Sequence, residues 1–201
     1  MSLVSAPRLV TDRLILRGPE PRDAEPMIAF LLDRSRSDGF GGYDHRGDAW
    51  RWFALNVGHW HLRGYGYFTI EMKDSGTPAG ICGIWNPEGW PEPELGWVVF
   101  EGYEGQGIAR EAAERARRYA YADLGLTTLT SNIVPGNTRS GQYATLMSDS
   151  SPTDWGKLRS GRSSASQPAS ASVAPTGEVD SSTTRLPAAN TGAMAAAAER
   201  T

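Results

Sequence analysis

The stretch spanning residues 94–114 constrains this chain more than any other, because it reads as an apolar strand, a glycine-rich turn and a helix in immediate succession. Residues 95–100 are rich in β-formers and carry no charge, which suits a mostly buried strand. Residues 108–124 are rich in Ala, Glu and Arg, with apolar residues recurring near helical spacing. The elements meet at Gly105-Gln106-Gly107, and glycines at 102, 105 and 107 let the backbone turn sharply without Cβ obstruction. Consecutive amides then gather at a helix mouth, where unpaired N–H groups and the positive end of the helix dipole favour an anion such as phosphate. The dinucleotide fingerprint is not met, since the residue three beyond Gly107 is Arg110, and no Gly-Lys-Ser/Thr follows. A Rossmann or P-loop arrangement is thereby disfavoured.

The turn is similar to the acyl-coenzyme A pyrophosphate loop of GNAT acetyltransferases, Arg/Gln-x-x-Gly-x-Gly/Ala. Glu104-Gly105-Gln106-Gly107-Ile108-Ala109 fills that pattern, with Glu where Arg or Gln is usual. Thr11-Asp12-Arg13-Leu14-Ile15-Leu16-Arg17, Asp23-Ala24, Glu111-Ala112 and Pro135-Gly136-Asn137-Thr138-Arg139-Ser140 follow in the order of the RimJ/RimL-like branch. The resemblance covers about residues 8–140. It implies an α/β (α+β) fold: a GNAT-like mixed, mostly antiparallel sheet flanked by helices, with the two helices after the first strand walling the acceptor pocket.

At 201 residues the chain is long enough for a sizeable core, and a formal net charge of −3 argues against a nucleic-acid surface. A lone cysteine, Cys82, excludes an internal disulfide, and its place in the apolar run 79–84 predicts a buried structural thiol. No metal is expected. His59 and His61 are two apart and do not share a helix face, so solvent-facing or pocket-wall histidines are predicted, as for His45. Without a signal peptide or a long apolar run, a soluble cytoplasmic protein with no membrane partner is expected.

In chain order, residues 13–17 read as a strand, and 21–32 as a helix with Asp23 near its start. Residues 39–43 read as a flexible connection, and 49–62 as a helix capped by Asp48. Residues 65–72 and 78–85 read as antiparallel strands joined by a turn over 73–77, and 127–134 as a β-branched strand. Trp85, Trp90 and Trp97 lie among Glu88, Glu92 and Glu94; this is either a proline-rich loop with solvated acids or an acidic, aromatic vestibule suited to a cationic amine. The pairs Glu111/Arg115 and Glu114/Arg118 are four apart and read as a solvated face.

The resemblance further implies acetyl-coenzyme A as co-substrate, in a cleft where strand 94–100 splays from strand 127–134. Trp97, Val98 and Val99 are the backbone candidates for the pantetheine arm and thioester oxygen. Gly105, Gln106, Gly107, Ile108, Ala109 and Arg110 are candidates for the pyrophosphate, Arg110 being open between ligand contact and solvated face. Asn137 matches a coenzyme-contacting Asn, and Ser140 a residue that assists the leaving thiolate. An ammonium with a pKa of about 10 must lose its proton before attack. Glu94 is the candidate base, with a strand-end surface acid as the alternative. Tyr143 lies one place short of the tyrosine position of other GNAT enzymes. The acceptor class is an amine of a small molecule or of a protein N-terminus.

Composition and resemblance change together beyond Ser140. Residues 148–201 show no sustained period and mostly alanine as apolar content, which predicts a disordered tail behind a domain over 8–147. The usual last strands would then be missing and strand 127–134 would be an uncovered edge inviting a homodimer. Three readings stay open: an amine N-acetyltransferase, a catalytically impaired coenzyme A binder, and a non-functional product with a degraded or frameshifted end.

Overall fold

The computed structural model describes residues 2–133 together with Asn137 and Ser140. The tail 148–201, Tyr143 and the domain end at 147 lie outside the described residues. Five strands run β1 (Leu9–Val10), β2 (Leu14–Arg17), β3 (Tyr67–Met72), β4 (Pro78–Trp85) and β5 (Glu94–Val99) in one sheet of that spatial order. Every neighbour is antiparallel. The helices are α1 (Ala24–Leu32), α2 (Arg34–Ser37), α3 (Arg46–Arg63) and α4 (Ile108–Ala122). None of the described helices is long and apolar enough to cross a membrane.

Strand periodicity sorts the side chains onto two faces. Phe68, Cys82, Ile84 and Leu95 pack beneath α4, whose Ala112, Ala113, Ala116 and Ala120 are fully buried and bring the helix close to the sheet. Tyr67, Ile81, Trp85 and Phe100 pack on the other face against α1 and α3. The helix over 108–124 and strand 78–85 form as expected; Cys82 is fully buried, and burial pushes its thiol pKa up, so it is inert.

Four expectations are corrected. Residues 127–133 form no strand among the described residues; Thr130 makes a single parallel bridge to Glu94. Helix α3 begins at Arg46 with His45 at the N-cap, and Asp48 sits in its first turn, paired with Arg51. Residues 39–43 are no plain connection: Phe40 ends a 3-10 turn and packs edge-on to Phe30 at 5.9 Å and Trp52 at 5.2 Å. His59 is buried, not solvent-facing, and stacks on Trp85 at 4.6 Å.

His59 accepts the Asn86 amide at Nε2 (3.0 Å) and therefore carries its proton on Nδ1, donated to the Tyr65 carbonyl at 2.7 Å. Burial lowers its pKa below the ordinary 6.5. The unfolded chain then binds a proton that the folded chain refuses, so this contribution to stability is complete above about pH 6.5 and is lost as pH falls toward the depressed folded value. Thermal midpoints measured from pH 8 to 5 are expected to fall below about pH 6.5, and less so in His59→Gln; parallel curves would exclude His59 as the source.

One buried polar cluster ties β2, β3 and the entry to α1 together. Arg17 donates from Nη1 and Nη2 to the Asp23 carboxylate at 2.7 and 2.9 Å and from Nε to Glu71 at 2.7 Å. Asp23 also accepts from the Glu20 amide at 2.7 Å and from the Thr69 hydroxyl at 2.8 Å. Burial alone would lower the Arg17 pKa, but the hydrogen bonds it donates to Asp23 and Glu71 outweigh this and raise it.

Candidate active site

The cleft of about 810 Å³ lies where β5, the 101–107 turn and the start of α4 meet the α1–α2 side. In β5 the amides of Gly96, Val98 and Phe100 point into the ladder, that of Phe100 reaching the Ala79 carbonyl at 2.8 Å. Those of Leu95, Trp97 and Val99 point away from β4, and Leu95 donates to the Thr130 carbonyl at 2.8 Å. Ser131 Oγ caps this meeting by donating to the Leu95 carbonyl at 2.8 Å, and the two segments make no further bridge among the described residues. The cleft edge of β5 therefore carries the Trp97 and Val99 backbone groups, while Val98 contributes its side chain.

Gly102, Gly105 and Gly107 all adopt positive φ (83°, 76° and 77°), which explains why glycine stands at each. A Cβ on Gly105 would meet nothing within 4 Å, so the loop presents open backbone to the cleft, and Gly107 is the N-cap of α4 with no side-chain cap hydrogen bond. The N-terminal motif braces this loop. Glu111 accepts from the Thr11 hydroxyl (2.6 Å), the Arg13 amide (2.9 Å) and Arg13 Nε (2.7 Å), and Arg13 Nη1 donates to the Gln106 carbonyl at 2.9 Å. Burial alone would raise the Glu111 pKa, but these bonds to Thr11 and Arg13 bring it below its ordinary value. Glu111 thus serves the brace, and Glu114 pairs with Arg110 at 2.9 Å, in place of the solvated Glu111/Arg115 and Glu114/Arg118 pairs expected from spacing.

Glu94, Trp97, Val98, Val99, Gly105, Gly107, Ile108, Ala109 and Arg110 all border the cleft, as do Asn137 and Ser140. Gln106 does not: its side chain folds back to the Gly102 carbonyl at 2.8 Å and its own carbonyl is held by Arg13. Asn137 Oδ1 accepts the Ser140 amide at 3.2 Å. Glu94 is 9% exposed; its carboxylate accepts from Trp90 Nε1 at 2.9 Å and from the Asn132 amide at 3.2 Å. It is therefore an oriented, largely buried acid and not a strand-end surface acid.

The aromatic vestibule does not form. Trp85 is buried on the α1/α3 face, Trp97 packs on the α4 face, and Glu88 is fully exposed beside Arg63 at 3.2 Å. That part of the cleft is instead walled by Phe30, Phe40 and Tyr67. Tyr67 was not legible as a site residue. Its hydroxyl fills the space that Gly96 leaves, 2.3 Å from where a Cβ would stand, and burial, then the Glu94 charge, push its pKa up so that it stays protonated. Helix α3 lines none of the cleft; Trp52 stands behind Phe40 and Tyr67.

The acetyltransferase (GNAT) domain model matches residues 13–145. The chain belongs to the GNAT acetyltransferase family. Among solved structures, an acetyltransferase from Agrobacterium tumefaciens is 37% identical, with a TM-score of 0.67 over 73% of this chain and 85% of that one. The Bacillus subtilis protein YkkB is 29% identical over 135 residues, 65% of this chain and 77% of that protein. A ribosomal-protein-serine acetyltransferase from Vibrio cholerae shares the fold at 20% identity, with a TM-score of 0.59 over 71% and 83% of the two chains. A GNAT enzyme is thus the assignment by family, and the cleft is its candidate active site.

Proposed function

We propose that this GNAT domain moves the acetyl group of acetyl-coenzyme A to a primary amine, on a small molecule or at a protein N-terminus. The observation that carries this reading is the continuity of the cleft, which joins the open glycine turn at the mouth of α4 to the oriented Glu94 carboxylate along the outward-facing edge of β5. The amides at the start of α4 and in the 105–107 turn hold the pyrophosphate, with about 0.3–1 kcal/mol from the helix dipole at an exposed site. Trp97 and Val99 align the pantetheine arm by backbone bonds, and an edge amide polarises the thioester carbonyl. Glu94 takes the ammonium proton through a water; the amine then attacks the carbonyl carbon, the C–S bond breaks, and the proton that the new amide nitrogen sheds passes to the departing thiolate beside Ser140. Phe30, Phe40 and Tyr67 exclude water from the acceptor end.

Acetyl-coenzyme A is expected to raise the thermal midpoint of the whole chain, and a panel of amines to release thiol from it. Stabilisation with no thiol release from any amine assigns binding without turnover, and no stabilisation refutes the reading. Gly107→Asp puts a Cβ at a positive-φ position and a carboxylate into the phosphate cradle. Its expected effect is at least about a tenfold loss of acetyl-coenzyme A affinity by calorimetry, against which unchanged affinity counts decisively.

A further inference from the structure

The turn that offers its backbone to an anion begins with an anion of its own. Glu104 stands immediately before Gly105, and its charge opposes any phosphate brought to the mouth of α4. The arginine that meets it comes from a distant part of the chain. Arg36, in the four-residue helix α2, donates from Nη2 both to Glu104 and to the Val99 carbonyl, the latter at 3.1 Å, and its guanidinium lies 5.9 Å from the centre of the Phe30 ring. Both Arg36 and Glu104 border the cleft. Arg36 is therefore held at the junction where the outward edge of β5 ends and the glycine turn begins. With the pyrophosphate at the glycine turn and the arm along β5, as proposed above, this junction is where the arm would give way to the diphosphate. Among the described residues only Nη2 of its guanidinium is engaged, which leaves donors on Nε and Nη1 for a further acceptor.

We propose that Arg36 is a diphosphate-binding residue of this domain, held in place by Glu104 and sharing its remaining donors with the phosphate oxygens when acetyl-coenzyme A enters. The proposal rests on the coenzyme reading above. It follows from charge: a carboxylate beside an anion cradle is tolerable only if neutralised, and a guanidinium shared between Glu104 and a phosphate does this while adding a charge-assisted bond. It also ties the α1–α2 side of the cleft, where Phe30 and Phe40 wall the acceptor end, to the arrival of the coenzyme.

The two partners of the pair have opposite expected effects, which a simple strut between α2 and the turn does not. Arg36→Ala leaves Glu104 uncompensated and is expected to weaken acetyl-coenzyme A by about tenfold or more in calorimetry, whereas Glu104→Gln removes the opposing charge and is expected to tighten it about two- to fivefold. Arg36→Lys, which keeps the charge, retains most of the affinity. S-acetylpantetheine, which has the arm and thioester but no diphosphate, is expected to bind all variants as it binds the unaltered chain. If Arg36→Ala and Glu104→Gln weaken both ligands in parallel, the pair is a strut and the proposal is overturned; unchanged affinity for acetyl-coenzyme A in Arg36→Ala overturns it equally. If the unaltered chain binds acetyl-coenzyme A no better than S-acetylpantetheine, the coenzyme reading itself falls, and this inference with it.

Discussion

Glu94→Gln is expected to lower the turnover of amine acetylation by about 10²-fold or more while acetyl-coenzyme A affinity stays within about twofold. The substitution keeps the size of the side chain but removes its capacity to take a proton. It also sets an amide N–H₂ among donors, since Trp90 Nε1 and the Asn132 amide both already donate to this carboxylate. A pH profile separates lost chemistry from lost positioning: an acidic limb of kcat/KM is expected for the unaltered enzyme and should be missing in Glu94→Gln. Trp90→Phe supplies the independent check. It withdraws one of the two hydrogen bonds that orient the carboxylate and is expected to lower turnover, but by less than Glu94→Gln does. Unaltered turnover and an unaltered profile in Glu94→Gln remove this residue from the mechanism.

Asp23→Ala is expected to cost about 3–5 kcal/mol of folding free energy, the range for removing one partner of a buried ion pair. The carboxylate takes two bonds from Arg17 and one each from the Glu20 amide and the Thr69 hydroxyl, and both Arg17 and Asp23 are almost wholly buried. Its loss strands these donors away from water, with Arg17 left to Glu71, which it shares with Arg22, and to the longer contact with Glu20 at 3.8 Å. Against a total of about 5–15 kcal/mol, such a deficit lowers the thermal midpoint by about 10 °C or more. Chemical denaturation of the two proteins is the test. A difference below about 1 kcal/mol means that water reaches the cluster and that it acts as a surface pair.

Both effects bear on how the site is built. The Arg17–Asp23–Glu71 cluster locks the entry of α1 to β2 and β3, and α1 carries Phe30, which walls the cleft and supports Arg36. The Thr11–Arg13–Glu111 brace does the same for the glycine turn. These two networks are how motifs far from the glycine turn in sequence contribute to the cleft. Each positions a part of the cleft without lining it.

By itself the sequence determined what depends on near neighbours along the chain. The succession of uncharged β-formers, glycines at 102, 105 and 107, and an alanine-rich amphipathic run specified β5, a positive-φ turn and α4, because backbone freedom and periodicity are local properties. The same holds for the hairpin of β3 and β4 and for burial of Cys82 in its apolar run. Pairing of charges was decided in three dimensions: i,i+4 spacing suggested Glu111 with Arg115, but the turn between β1 and β2 lies against the start of α4 and brought Arg13 within 2.7 Å. Spacing likewise could not reveal that Arg36 answers Glu104, or that Tyr67 reaches the cleft through the gap left by Gly96. The tryptophans show the reason most plainly. Trp85, Trp90 and Trp97 look like one cluster along the chain, yet strand parity sends Trp85 and Trp97 to opposite faces of the sheet, and only the packing of helices on those faces decides what each side chain meets.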